Sequence, residues 1–158
     1  MNIFKASEVL KIAIQIEKNG LAFYTEVKNR SKYFPLQEVF GFLAKEEVKH
    51  EQTFKVLLEK IGDEASAESY PGENEMYLEA IAGENVFARG DAMKQLAQKA
   101  KNDKEAIDLA IGFEKDSVLF FGELKKFVPE ADQTTVEQVI DEEREHLVKL
   151  LDLKHKTA

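Results

Sequence analysis

The pentapeptide Glu46-Glu47-Val48-Lys49-His50 recurs in outline as Glu142-Glu143-Arg144-Glu145-His146. In each copy a Glu stands three residues before a His, which on a helix is one turn along one face. A carboxylate oxygen and an imidazole nitrogen held that way converge on one point and can grip a cation from one side. One Glu-x-x-His is a common accident in a Glu-rich helix. Two copies in a chain with only three His residues ask whether the surrounding sequence follows the same twofold plan.

It does. Ala13, Ile14, Glu17 and Lys18 align with Ala110, Ile111, Glu114 and Lys115 at an offset of 97. Phe23, Glu26 and Lys28 meet Phe120, Glu123 and Lys125 at the same offset, and Glu46, Glu47 and His50 meet Glu142, Glu143 and His146 at 96. The chain therefore reads as one helix pair used twice.

Each helix is written as a stripe of apolar residues stepping by four and three. Residues 7–30 carry Leu10, Ile14, Glu17, Leu21 and Tyr24, with Ser7 as the N-cap. Residues 35–61 carry Leu36, Phe40, Leu43, Glu47, His50, Phe54, Leu57 and Ile61, opened by Pro35 and closed by Gly62. Residues 104–128 carry Ile107, Ala110, Glu114, Ser117, Phe121, Leu124 and Val128, capped by Asp103 and stopped by Pro129. Residues 135–154 carry Val136, Val139, Glu143, His146, Leu150 and Leu153, opened by a capping box from Thr134 to Glu137. Between the pairs, residues 62–103 break the pattern with Pro71, Gly72, Gly83 and Gly90 and hold short helical pieces near 75–82 and 92–100. A connection this long returns the chain along a bundle before the next helix. The expected fold is all-α: a single-domain four-helix bundle of two pseudo-twofold helix pairs with a partly helical crossover.

Composition bounds the function. A charged fraction of 33% with only three Pro favours long helices over sheet. No apolar run reaches about 18 residues, so no membrane-spanning helix is expected. The N-terminus meets Lys5 and Glu8 too early for a secretory segment, which makes the cytoplasm the expected location. With no Cys there is no disulfide, thiolate metal site, cysteine nucleophile or iron–sulfur centre. A net charge of −8 speaks against nucleic acid as a partner and suits a protein that attracts cations.

Glu17, Glu47, Glu114 and Glu143, with His50 and His146, thus occupy positions where a bundle should be apolar. An isolated ionised carboxylate in a core is very costly, and four neighbours repel one another. Two divalent metals between them would supply four positive charges against four carboxylates. Oxygen and imidazole donors suit iron or manganese and accommodate zinc. Glu17 and Glu114 are then the terminal ligands, Glu47 and Glu143 bridge the pair, and His50 and His146 each complete one metal. Glu46 and Glu142 fall beside the seam and drop out of the ligand set. Tyr24, one heptad after Glu17, either donates a hydrogen bond to the cluster or packs, and packing is the plainer reading. His155 reads as a tail residue, and Glu73, Glu75, Glu79 and Glu84 as a solvated face, with Glu84 alternatively an outer or auxiliary carboxylate.

With these residues in view, the sequence resembles the rubrerythrin-related branch of the ferritin-like di-iron carboxylate superfamily. Glu17, Glu47-x-x-His50, Glu114 and Glu143-x-x-His146 carry the resemblance, which covers both helix pairs. It implies two iron ions and reduction of hydrogen peroxide or activation of dioxygen, with a homodimeric assembly. Members of the family commonly carry a Cys-rich rubredoxin-like domain, so here an external electron-donor protein is implied. Ser117 stands where the family has an extra carboxylate, one turn after the third-helix ligand. Two other classes of function are compatible with the same residues: iron binding or storage, with ferrous oxidation only, and a structural bundle whose metal merely neutralises buried charge.

Overall fold

Helix α1 spans Ala6–Arg30 and α2 spans Phe34–Ile61. They form an antiparallel hairpin whose short connection is held by Ser31. Its carbonyl accepts from the Gln37 side chain at 2.7 Å, and its Oγ accepts from the Tyr33 backbone N–H at 3.1 Å. The computed structural model describes residues 5–62, residue 80 and residues 90–157. Three further helices follow: α3 (Gly90–Lys99), α4 (Asp103–Leu124) and α5 (Glu130–Thr157). The described residues contain no strand. The expected piece near 75–82, Glu84 and the other crossover acids fall outside the described residues, whereas the piece expected near 92–100 is α3.

Helix ends differ from the expected ones where several capping groups compete. Ser7 lies buried inside the first turn of α1, and Glu8 instead reaches back to accept the Lys5 backbone N–H at 2.9 Å. Asn102, not Asp103, caps α4, with its Oδ1 accepting from the Glu105 N–H at 2.9 Å. After Leu124 the chain tightens into turns closed by Lys126 N–H to Glu123 O and Phe127 N–H to Leu124 O. The expected helix to residue 128 is therefore shorter, although Phe127 and Val128 still bury. The largest difference is α5, which begins at Glu130 rather than 135. Pro129 cannot extend the preceding helix but presents its carbonyl to the Asp132 N–H at 2.8 Å, so a new helix starts at once. Gly62 ends α2 at φ +69°, a conformation that costs a residue with a Cβ.

The core divides into two apolar layers. One gathers Leu10, Ile14, Phe54, Leu57, Phe121, Leu124 and Val136. The other gathers Phe23, Val27, Leu36, Phe40, Ile107, Ala110 and Leu150, with Met93 and Ala97 of α3 covering its edge. Every long helix passes from one layer to the other. Its Glu, or its Glu and His, sits at the crossing point: Glu17 between Ile14 and Phe23, Glu47 and His50 between Leu43 and Phe54. The order of layers along each chain segment makes α1 and α5 run one way and α2 and α4 the other. Helix α1 packs against α2 and α4, and α5 against α4 and α2, so each long helix has antiparallel neighbours.

Candidate metal centre

The layer between the two apolar halves is polar and almost sealed. Glu17, Glu47, Glu114, Glu143, His50 and His146 are each at most 4% exposed. Their donor atoms form two groups, each gathered within 4.8 Å: Glu17, Glu47, His50 and Glu143 in one, and Glu47, Glu114, Glu143 and His146 in the other. Glu47 and Glu143 are common to both. The imidazoles stack across the layer with ring centroids 5.6 Å apart, and both turn Nδ1 inward. His50 Nδ1 lies 3.1 Å from Glu143 Oε1 and 3.8 Å from Glu17 Oε2. His146 Nδ1 lies 3.0 Å from Glu143 Oε2 and 3.8 Å from Glu114 Oε2.

Burial dominates the electrostatics. It pushes the carboxyls of Glu17 and Glu47 well above the usual carboxylate range, and neighbouring carboxylates add to the push. Glu114 rises to about 8, first through burial and then through repulsion from Glu143. Glu143 goes the other way. Burial opposes its charge, but contact with Glu114, the hydrogen bond with His146 and the nearby His50 imidazole outweigh this and hold it well below the usual range. Burial also works against charge on the imidazoles. Contact with Glu143 and the surrounding carboxylates prevails, raising His50 to about 9 and His146, chiefly through Glu114 and Glu143, to about 10. The layer thus holds protons in the places where cations would otherwise balance the carboxylates.

Three further residues shape the layer. Tyr24 is 1% exposed, so it packs, and its hydroxyl also donates to Glu114 Oε1 at 2.5 Å across the bundle. Burial and the Glu114 charge raise its pKa well above 10.0, which keeps the proton on the hydroxyl. Glu142, set aside in the sequence because it falls beside the seam, accepts from His50 Nε2 at 2.7 Å and fixes that ring from outside. Glu46 joins it at the same outer edge. Gly20 was not singled out in the sequence at all. A Cβ there would lie 2.8 Å from Glu47 Oε2, so the missing side chain makes room for that carboxylate. A glycine in mid-helix, where it costs about 1 kcal/mol relative to Ala, was the signal available. Ser117 is buried beside the layer on α4, one turn after Glu114.

Among the described residues, Glu17 Oε1, Glu17 Oε2, His50 Nδ1 and Glu143 Oε1 are buried side-chain atoms with no hydrogen-bond partner. Buried polar atoms are nearly always paired. Four exceptions at one spot, all of them oxygen or imidazole donors pointing at each other, are what a cation site requires.

An antiparallel helical bundle with a buried layer of four Glu and two His defines the class of ferritin-like di-iron carboxylate proteins. The chain belongs to the Rubrerythrin family, whose model matches residues 8–154. It is also similar to a crystal structure from Thermotoga maritima, described as a candidate ferritin-like diiron-carboxylate protein, with 28% identity and a TM-score of 0.72. That likeness covers 100% of this chain and 99% of the other. No curated protein matches the chain. No described helix is long and apolar enough to cross a membrane.

Proposed function

We propose that this protein holds two iron ions in the buried layer and uses them as an oxidoreductase, reducing hydrogen peroxide or activating dioxygen with electrons from a separate donor protein. The supporting observation is the set of four buried, unpartnered donor atoms within a layer of four carboxylates and two imidazoles. Glu17 and His50 would hold one ion and Glu114 and His146 the other, with Glu47 and Glu143, common to both groups, bridging them. When bound, a pair of irons supplies two electrons, the number that converts one peroxide to two waters. Manganese and zinc satisfy the same donor set, but zinc has no redox chemistry to offer.

The chain's own residues have separate tasks in this reading. The two apolar layers seal the centre from bulk water, which strengthens every charge interaction inside it. Glu142 keeps a proton on His50 Nε2 and thereby turns Nδ1 toward the centre. Tyr24 holds Glu114 by one oxygen and leaves the other free to face the ion. The carboxyls and imidazoles that carry protons in the metal-free protein release them when metal enters. With no Cys in the chain, the electrons that return the iron to its reduced state come from another protein.

Anaerobic loading with ferrous iron, followed by peroxide and then by a chemical reductant, tests the proposal. Two irons per chain that oxidise on adding peroxide, return on reduction and repeat the cycle support it. Oxidation that stops after one round, with more than two irons per chain accumulating, sinks the peroxidase reading in favour of storage. Retention of both irons by Glu47→Ala and His50→Ala variants would overturn the ligand assignment itself.

A further inference from the structure

The internal repeat leads one to expect two equivalent metal positions, yet the side chains around them break the symmetry. Among the described residues, all four unpartnered buried atoms frame the position of Glu17, Glu47, His50 and Glu143. Although His50 Nδ1 and Glu143 Oε1 approach to 3.1 Å, they lie out of line for a hydrogen bond. At the other position the donors are already engaged. His146 Nδ1 is bonded to Glu143 Oε2 at 3.0 Å, and Glu114 Oε1 accepts from Tyr24.

The sequence explains why the halves differ. At the offset of 97, Tyr24 corresponds to Phe121, which has no hydroxyl to offer Glu17. At 96, Glu142 corresponds to Glu46, which pairs with Lys49 Nζ at 2.5 Å. The ring of His146 is met instead by the edge of Phe42, at 5.9 Å and perpendicular. His50 is therefore backed by a carboxylate, which strengthens an imidazole as a donor. Glu114, by contrast, shares its charge with a hydroxyl proton, which weakens it.

Resting on the two-ion reading above, we propose that the two positions are inequivalent and fill in order. The position of Glu17 and His50 takes the first divalent ion, because both Glu17 oxygens, His50 Nδ1 and Glu143 Oε1 stand there without a hydrogen bond to give up. The position of Glu114 and His146 takes the second, because its imidazole must first leave Glu143. Glu142 and Tyr24 are the positioning residues that set this order.

Anaerobic calorimetric titration with ferrous iron, together with anomalous diffraction from crystals holding one equivalent, reads it directly. The expected result is two steps separated by about tenfold or more in affinity, with the first-equivalent peak beside His50 and Glu17. Glu142→Gln should weaken the first step by about 10-fold or more, in line with the loss of a group that orients a metal-binding His. Tyr24→Phe should change the second step and leave the first unaltered. Circular dichroism of each variant monitors folding, and Glu142, about half exposed, is not needed for the core. Two ions binding in a single step, or a first-equivalent peak beside His146, would overturn the order while leaving the two-iron reading intact. Binding of fewer than two ions would overturn both.

Discussion

Gly20 and Glu47 meet at close tolerance. The Glu47 carboxylate lies so close to α1 that a methyl group at position 20 would meet it at 2.8 Å. By propensity alone Gly20→Ala should stabilise α1 by up to about 1 kcal/mol. By contact it should push Glu47 away from both groups of donors. Because the atom displaced is the end of a side chain, the fold should survive while metal affinity falls by about 10-fold or more. Denaturant unfolding of the metal-free variant and calorimetric metal binding read the two effects separately. Unchanged affinity would show that Glu47 adjusts without loss. The resemblance singles out Ser117 as the place where the family has an extra carboxylate, and at the same offset of 97 it is the counterpart of Gly20. Small side chains thus flank the centre in both halves of the repeat.

At the scale of the elements, the sequence showed the helices more clearly than it showed where they begin. The four stripes were readable because a 3.6-residue period over many turns leaves little choice of buried face. Starts are decided by one or two groups, and several candidates stood near each of them. Because α5 begins at Glu130, Thr134 is an exposed residue in its second turn. Thr134→Ala should then change stability by less than about 0.5 kcal/mol, whereas Asn102→Ala should cost about 1 kcal/mol as the loss of a true cap. Chemical denaturation of the two variants compares them, and a larger loss at Thr134 would restore the capping box. Site residues divide in the same way. Glu17, Glu47, His50, Glu114, Glu143 and His146 could be picked out because each interrupts an apolar stripe, and the structure brings all six into one layer. Glu142 could not, because its contact with His50 crosses from α5 to α2 and leaves no trace in the periodicity of either helix. Tyr24 was ambiguous because it packs and bonds at once, and its partner Glu114 lies on α4 rather than on its own helix.

For the molecule as a whole, the buried layer links stability to pH and metal together. In the metal-free protein Glu114 has a folded pKa raised from 4.5 to about 8. Its contribution to stability is fully present below about pH 4.5 and is lost as pH rises through 8. His50 and His146, raised from 6.5 to about 9 and about 10, contribute below 6.5 and lose that contribution as pH rises through those values. Glu143, lowered, acts in the opposite sense, and its contribution is lost only as pH falls below the usual carboxylate range. The metal-free protein should therefore weaken steadily between pH 5 and pH 10. Metal replaces the protons, so binding strengthens over the same range. Ferrous iron at about 100 times its dissociation constant should add about 2.7 kcal/mol. The gap in Tm between loaded and metal-free protein should widen from pH 6 to pH 9. Differential scanning calorimetry under argon measures it, and a gap that stays constant would show that the layer does not exchange protons for metal.

The sequence by itself determined the all-α class, the twofold repeat, the passage of every long helix through one polar level and the six residues at that level. Those properties lie in the period of single helices and in the spacing between repeats, both of which are local or arithmetic. Only the tertiary structure decided which oxygen faces which nitrogen, that Glu142 backs His50 while Phe42 meets His146, and that a missing Cβ on α1 makes room for a carboxylate on α2. The physical reason is that hydrogen bonds and close contacts between helices depend on rotation and depth to within an ångström. A repeat preserved in sequence can therefore be broken in its chemistry.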